Sequence, residues 1–280
     1  MMYIELDDFR QSYVVAKNEI RKFVRGKRFA IYVALIIFVF AVITLLQHFN
    51  GGGLGGEPGA AIMIHLFLVS FLIILSATLF ASVVTVSEFE ERTALILFTR
   101  PIKKTSIFLG KMLGCIALEV VMIVLFYAGL VALSLIGTGS VPSELFVSLG
   151  IASLLVVAMS GIAMFISSIM KKGSTSAILT FFLLIFMVWF LPDVVSMTTG
   201  TMPWFFIDQA ATAIYTGVPG SLAALNDSMA HIGEMAGFTL EQIEELLIPA
   251  PDMTKVILSV VGWSVASTVL AWIAFIRREF

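Results

Sequence analysis

The stretch Ala60–Val86 reads AAIMIHLFLVSFLIILSATLFASVVTV, 27 residues in a row without a charged side chain. As an α-helix it would measure about 40 Å, longer than the roughly 30 Å hydrocarbon core of a bilayer. It reads as a membrane-spanning helix that tilts or projects beyond the lipid. Working outward, five further apolar stretches qualify: Phe29–Leu46, Met112–Ile136, Leu145–Met170, Ala177–Leu191 and Val256–Phe275. The one before Pro192 is short; with Thr175 and Ser176 added it reaches only 17 residues.

Composition agrees. Of 280 residues, 59% are apolar and 13% charged, about half the charge of an ordinary soluble chain, and mean hydropathy is +1.04. These values exclude a soluble enzyme, a nucleic-acid binder and a disordered chain. Cys115 is the single cysteine, so no internal disulfide is possible and the redox compartment is not indicated.

The basic residues orient the spans, because short cytoplasmic loops retain Lys and Arg. Residues 1–28 hold seven, residues 87–111 hold five (Arg92, Arg100, Lys103, Lys104, Lys111), and Lys171, Lys172, Arg277 and Arg278 complete sixteen of the 17. The alternate segments 47–59, 137–144 and 192–255 contain only Lys255 against ten acids. Six spans with both termini cytoplasmic satisfy this pattern; five or seven would put basic clusters outside. The charged leader lacks a cleavage pattern, so the first span is expected to stay in place.

Between the spans, Phe9, Tyr13, Ala16, Ile20 and Phe23 recur at helical spacing, with Lys17, Arg21, Lys22, Arg25 and Arg28 largely opposite. This predicts an amphipathic interface helix on the inner leaflet, held by anionic lipid; a helix packed on a partner protein is the alternative. The glycine-rich loop 50–59 is too flexible to hold structure alone. In 192–255, Thr239-Leu-Glu-Gln242 is a capping box and Phe238 with Ile243 occupies staple positions, predicting a short helix to about Leu247. Leu222, Leu225, Met229 and Ile232 repeat at helical spacing, and Pro203-Trp-Phe-Phe-Ile has the composition of an interfacial aromatic belt. Small external helices are expected to cap the outer mouth.

The stretch after span two reads Ser87-Glu-Phe-Glu-Glu-Arg-Thr-Ala-Leu-Ile-Leu-Phe-Thr-Arg-Pro101. Ser87 with Glu90 has the form of a capping box, acids occupy the first turn, and Arg100 precedes the proline, predicting a short charged helix and a sharp turn. Leu95, Leu97 and Phe98 would then be exposed to water unless a second protein covers them or they fold back onto the bundle.

This stretch, followed by a basic turn and Gly110-Lys111, resembles the membrane subunits of the type-2 ABC transporter permease family. The motif is Glu-x-Glu-(x)-x-Thr-x-x-x-Leu-x-x-x-Pro, with Glu90, Glu91, Thr93, Leu97, Arg100, Pro101 and Lys111 at its positions. The leader Ala16-Lys-Asn-Glu-Ile-Arg21, the six spans and the large outer loop extend the likeness over nearly the whole chain, although only 88–111 is specific. Arg92 stands where glycine commonly precedes the threonine, and Lys103-Lys104 where Ser-Arg commonly follows the proline.

The resemblance implies an all-α integral membrane fold and a single transmembrane permease domain, 1–280. Its parts are the interface helix (1–28), spans one to five (29–191), an external loop with short helices (192–255), and span six with a cytoplasmic tail (256–280). It also implies that the leader is a connecting helix, and that Glu88, Glu90, Glu91, Arg92, Thr93, Leu97, Arg100 and Pro101 form a coupling helix seated on an ATP-binding cassette ATPase subunit. A second permease subunit is expected, and Gly110-x-x-x-Gly114 and Gly262-x-x-x-Ala266 would permit close helix approach without naming an interface.

No ATP site is expected in this chain. A phosphate loop needs Gly-x-x-x-x-Gly-Lys-Ser/Thr, but Gly26-Lys27 and Gly110-Lys111 are followed by Arg28 and Met112. ATP and Mg belong to the partner ATPase, and no catalytic residue or metal site is expected here. Within the spans, Glu119 is a candidate on the substrate pathway, equally readable as a structural hydrogen-bond acceptor. Lys111 is expected to snorkel to inner headgroups, and His65 to make an interfacial hydrogen bond rather than bind metal. An intramembrane serine protease is disfavoured: Ala158-Met-Ser-Gly161 lacks the first glycine of a nucleophile motif and His231 lies in the outer loop. The expected function is a cell-membrane exporter subunit for a hydrophobic or amphipathic cargo, the alternative being a non-transporting anchor or mechanotransmitter.

Overall fold

A computed structural model describes residues 6–49, 58–90, 102–200 and 203–278, and among these there are helices but no strands. In chain order the helices are α1 (Leu6–Val24), α2 (Lys27–Phe49), α3 (Gly59–Glu90), α4 (Lys104–Thr138), α5 (Glu144–Ile169), α6 (Gly173–Thr199), α7 (Asp208–Thr216), α8 (Pro219–Met235), α9 (Leu240–Leu246) and α10 (Met253–Arg277). Helices α2 to α6 and α10 are long and apolar enough to cross a membrane, which gives the six predicted spans. The protein is a multi-pass membrane protein.

Burial sorts the spans into an inner and an outer set. In α3 and α5 the most apolar window is 72% and 67% buried, against 11% in α2 and 22% in α6. Serine and alanine supply close contacts: the Ser176 hydroxyl of α6 donates to the Ser82 carbonyl of α3 at 2.5 Å, and Ala158 and Ala163 of α5 are fully enclosed. Such small and hydroxylated residues hold helices together where the surrounding lipid is as apolar as the helices. The outermost span, α2, is pegged to α3 by the Tyr32 hydroxyl on the Leu72 carbonyl, 3.0 Å, and the Gln47 amide on the Ala61 carbonyl, 3.2 Å. His65, fully buried, lies 3.2 Å from Thr44 Oγ1 of α2 through its Nε2. Its predicted hydrogen bond is present, but inside the bundle rather than at its edge.

The fifth span departs from expectation. It does not stop at Pro192; the helix continues to Thr199 and ends at Gly200, whose φ of +68° suits a residue without a Cβ. A π-helical turn at Phe186–Phe190 ends two residues before the proline. Widening the backbone there accommodates a residue that has no N–H and whose ring would crowd the carbonyl four residues earlier. The helix of the fifth span therefore runs past the predicted stop at Pro192 and ends near residue 200. The fourth helix in turn begins at Lys104, eight residues before the predicted Met112, which sets Glu119 further from the helix start than a beginning at Met112 would.

At the end of the bundle remote from the termini, α7 drops in among α3, α5 and α10. Ala210, Ala211, Ala213 and Ile214 are buried, the Ser70 hydroxyl donates to the Ala211 carbonyl at 3.0 Å, and the Ser148 hydroxyl to the Ile214 carbonyl at 2.6 Å. The Ile214 carbonyl, in the last turn where intrahelical donors run out, is thus satisfied by a span. Helix α8 lies against α3, and α9 forms with the predicted capping box between Thr239 and Gln242. Short helices between spans five and six are present as expected.

Candidate functional site

At the end that carries both termini, α1 does not lie free. It crosses α4 at Gly110 and Gly114, where a Cβ on either glycine would collide with the backbone of Ser12 or Ala16. The glycine pair flagged for close helix approach thus receives the chain's own first helix. Ser12, Glu19 and Phe23 face the bundle, whereas Phe9 and Tyr13 of the predicted apolar stripe stay exposed. The Ser12 hydroxyl donates to the Ser106 carbonyl, 3.0 Å, and Lys103 pairs with Asp8 at 2.7 Å.

Beneath that crossing lies a buried ionic cluster. Lys111 Nζ is 2.5 Å from Glu19 Oε1 of α1 and 2.8 Å from Glu88 Oε1 at the end of α3, with the Val84 carbonyl at 3.3 Å. Its side chain is 2% exposed. The snorkelling expectation is therefore overturned: the ammonium points inward because α1 covers it and supplies a carboxylate that a headgroup would otherwise replace. Lys22 of α1 stands 3.6 Å from the same Glu88 carboxylate.

The last turns of α3 are held from three more sides. Glu90 Oε2 accepts the Gly173 N–H at 2.8 Å, placing a negative charge at the start of α6. The Ser167 hydroxyl of α5 accepts the N–H groups of Thr85 and Val86 at 3.2 and 3.1 Å, where the helix of α3 is interrupted at Thr85. From the C-terminus, Arg278 donates to the carbonyls of Ser167, Ser168 and Met170 and stacks 3.7 Å over the Phe89 ring. Its partial burial lowers its pKa from the ordinary arginine value. The capping box expected of Ser87 and Glu90 does not form, because Ser87 sits within the helix and Glu90 caps α6 instead.

Deeper in, Glu119 is fully buried and accepts from three groups: the Ser160 hydroxyl of α5 at 2.7 Å, the Cys115 thiol at 3.1 Å and the Ser76 hydroxyl of α3 at 3.5 Å. Ser76 immediately precedes a π-helical turn, Ala77–Ala81. The carboxylate thus ties three spans together.

A family model described as ABC-2 family transporter protein matches residues 13–280. The chain belongs to that family. It is a membrane permease subunit of an ABC transporter, as the motif after span two indicated. No curated protein matched the chain.

In this ABC-2 permease the predicted coupling residues divide into two groups. Glu88 and Glu90 are tied into the bundle, to α4 and α6 respectively. Glu91, Arg92, Thr93, Leu97, Arg100 and Pro101 lie outside the described residues. Sequence reasoning missed Glu19, Ser167, Gly173 and Arg278. One signal for Glu19 was available, since it is an acid set among Lys17, Arg21 and Lys22; its partner 92 positions away was not legible.

Proposed function

We propose that this permease is the membrane-spanning half of an ATP-driven exporter in the cell membrane, with both termini cytoplasmic. It pairs with a second permease subunit, and each docks an ATPase subunit, which carries ATP and Mg, through residues 88–101. The observation that carries this reading is the grip on residues 85–90. Motion imposed on the loop beyond Glu90 would reach α1 through Lys111 and Glu88, α6 through Gly173, and the tail through Phe89 and Arg278. A segment that only joined two spans would need no such set of ties.

The cargo is hydrophobic or amphipathic, in keeping with an interior whose deep acid, Glu119, is already occupied by donors from the bundle. A second reading draws on the helical layer α7 to α9 at the opposite end: a mechanotransmitter that passes ATPase work to a protein beyond the membrane. Photo-crosslinking from Leu97 or Phe98 tests docking, with a crosslinked ATPase expected. Reconstituted vesicles then separate the readings. ATP-dependent movement of an amphipathic dye supports export; an ATPase that turns over without moving any amphipathic compound supports the mechanical role.

A further inference from the structure

Between the end of α6, the first turn of α7 and the start of α10 lies a cavity of about 680 Å³. Its size falls in the range of small-molecule sites. Trp189, Trp204 and Tyr215 contribute aromatic wall, and Asp193, Asp208 and Asp252 contribute acids. Among the described lining residues Lys255 is the one basic side chain, and it is drawn to Asp252 at 3.3 Å.

Asp208 is the unusual member. It is only 5% exposed; its carboxylate is approached by the N–H groups of Asp208 and Gln209 at the start of α7 and takes a long hydrogen bond of 3.3 Å from the Gln209 side-chain amide on Oδ2, while the enclosed Oδ1 lacks a side-chain partner. Burial, only partly offset by the N–H groups at the start of α7 and with a small addition from Asp193, raises its carboxyl to about 6, so it is ionised at neutral pH with no positive charge beside it among the described residues. A buried carboxylate left in that condition is costly unless something supplies positive charge. The wall behind it is fixed, since Ser70 and Ser148 pin α7 to the spans.

The geometry points to a binding site for an organic monocation bearing aromatic or bulky apolar groups, its charge set against Asp208 and its apolar parts against Trp189, Trp204 and Tyr215. A bare metal ion would leave most of this volume and the indole faces unused. An anion would be repelled, and a neutral apolar molecule would leave Asp208 unpaired. A cation on an aromatic wall gains from the ring faces as well as from the carboxylate. The site is complete in one chain and does not depend on ATP or on the export reading.

The test is equilibrium dialysis of tetraphenylphosphonium with the full chain in maltoside micelles at pH 7.5. Saturable one-to-one binding is expected, at least tenfold weaker for neutral triphenylphosphine oxide and at least tenfold weaker in Asp208→Asn. Should Asp208→Asn fold poorly, Asp193→Asn and Trp204→Leu, both at exposed positions, must each weaken binding. Competition by short-chain phosphatidylcholine would identify a lipid ammonium headgroup as the natural ligand; binding without such competition assigns the site to soluble cations. No saturable binding, equal affinity for the neutral compound, or unchanged affinity in the folded variants would overturn the proposal.

Discussion

Lys111 and Glu19, 92 positions apart in the chain, meet at 2.5 Å beneath the first helix. Glu88 completes the cluster at 2.8 Å from the same ammonium. Removing one member of a buried ion cluster leaves the others uncompensated, at a cost of about 3–5 kcal/mol. Lys111→Met should therefore lower the melting temperature of the detergent-solubilised chain markedly. Adding Glu19→Gln and Glu88→Gln to it should restore much of the loss. A single variant that melts like the parent would show that the cluster contributes nothing.

Two pairs of small residues at the same spacing, Gly110 with Gly114 and Gly262 with Ala266, should behave in opposite ways. Gly110→Leu and Gly114→Leu place a side chain where α1 crosses and should release that helix. Gly262 has open space around it, so Gly262→Leu should leave the fold intact. Limited proteolysis in residues 6–24 reads the difference, with faster cleavage expected in the first two variants alone.

What was legible in the sequence follows from which interactions are local. Span number, the capping box at Thr239 and helix α8 depend on neighbouring residues and were all apparent. Pro192 misled because a proline breaks a regular α-helix, and the π-turn that rescues it leaves no composition signal. Asp208–Thr216 shows no stripe of large apolar residues, because its burial uses alanines and span serines. Lys111 sits where lysines usually reach for headgroups; only the arrival of α1 makes it internal. The candidate coupling segment was named from its motif, whereas its anchoring through Glu88 and Glu90 required the fold.

Glu90 holds the first turn of α6. Glu90→Ala should cost about 1 kcal/mol, the scale of a lost helix cap, and should raise amide exchange at Gly173 and the residues after it. Unaltered exchange there would contradict the 2.8 Å contact. Because the Glu90 carboxylate is engaged by the Gly173 N–H, Glu91→Lys is the cleaner probe of docking: it should weaken ATPase capture while exchange at Gly173 stays at the parental level.

Asp208 predicts a pH signature outside the spans. Its carboxyl rises from 3.8 to about 6 on folding, so between those values the folded chain binds more protons than the unfolded one. The neutral form's advantage is full below 3.8 and is lost as pH rises through 6. The gap corresponds to about 3 kcal/mol. The groups around this cavity are Asp193 of α6, Tyr215 of α7, Asp252 and Lys255. Thermal melts should show Asp208→Asn gaining on the parent between pH 5 and pH 7.5. A constant difference would mean that Asp208 does not titrate in this window.

The most direct test of the permease reading is capture of this chain from gently solubilised native membranes. Co-purifying proteins are identified by mass spectrometry, and ATP hydrolysis is assayed on the same sample. A stoichiometric partner with a phosphate loop, lost when Leu97 is replaced by Asp, is the predicted result. A partner-free chain without ATP hydrolysis would contradict coupling through residues 88–101.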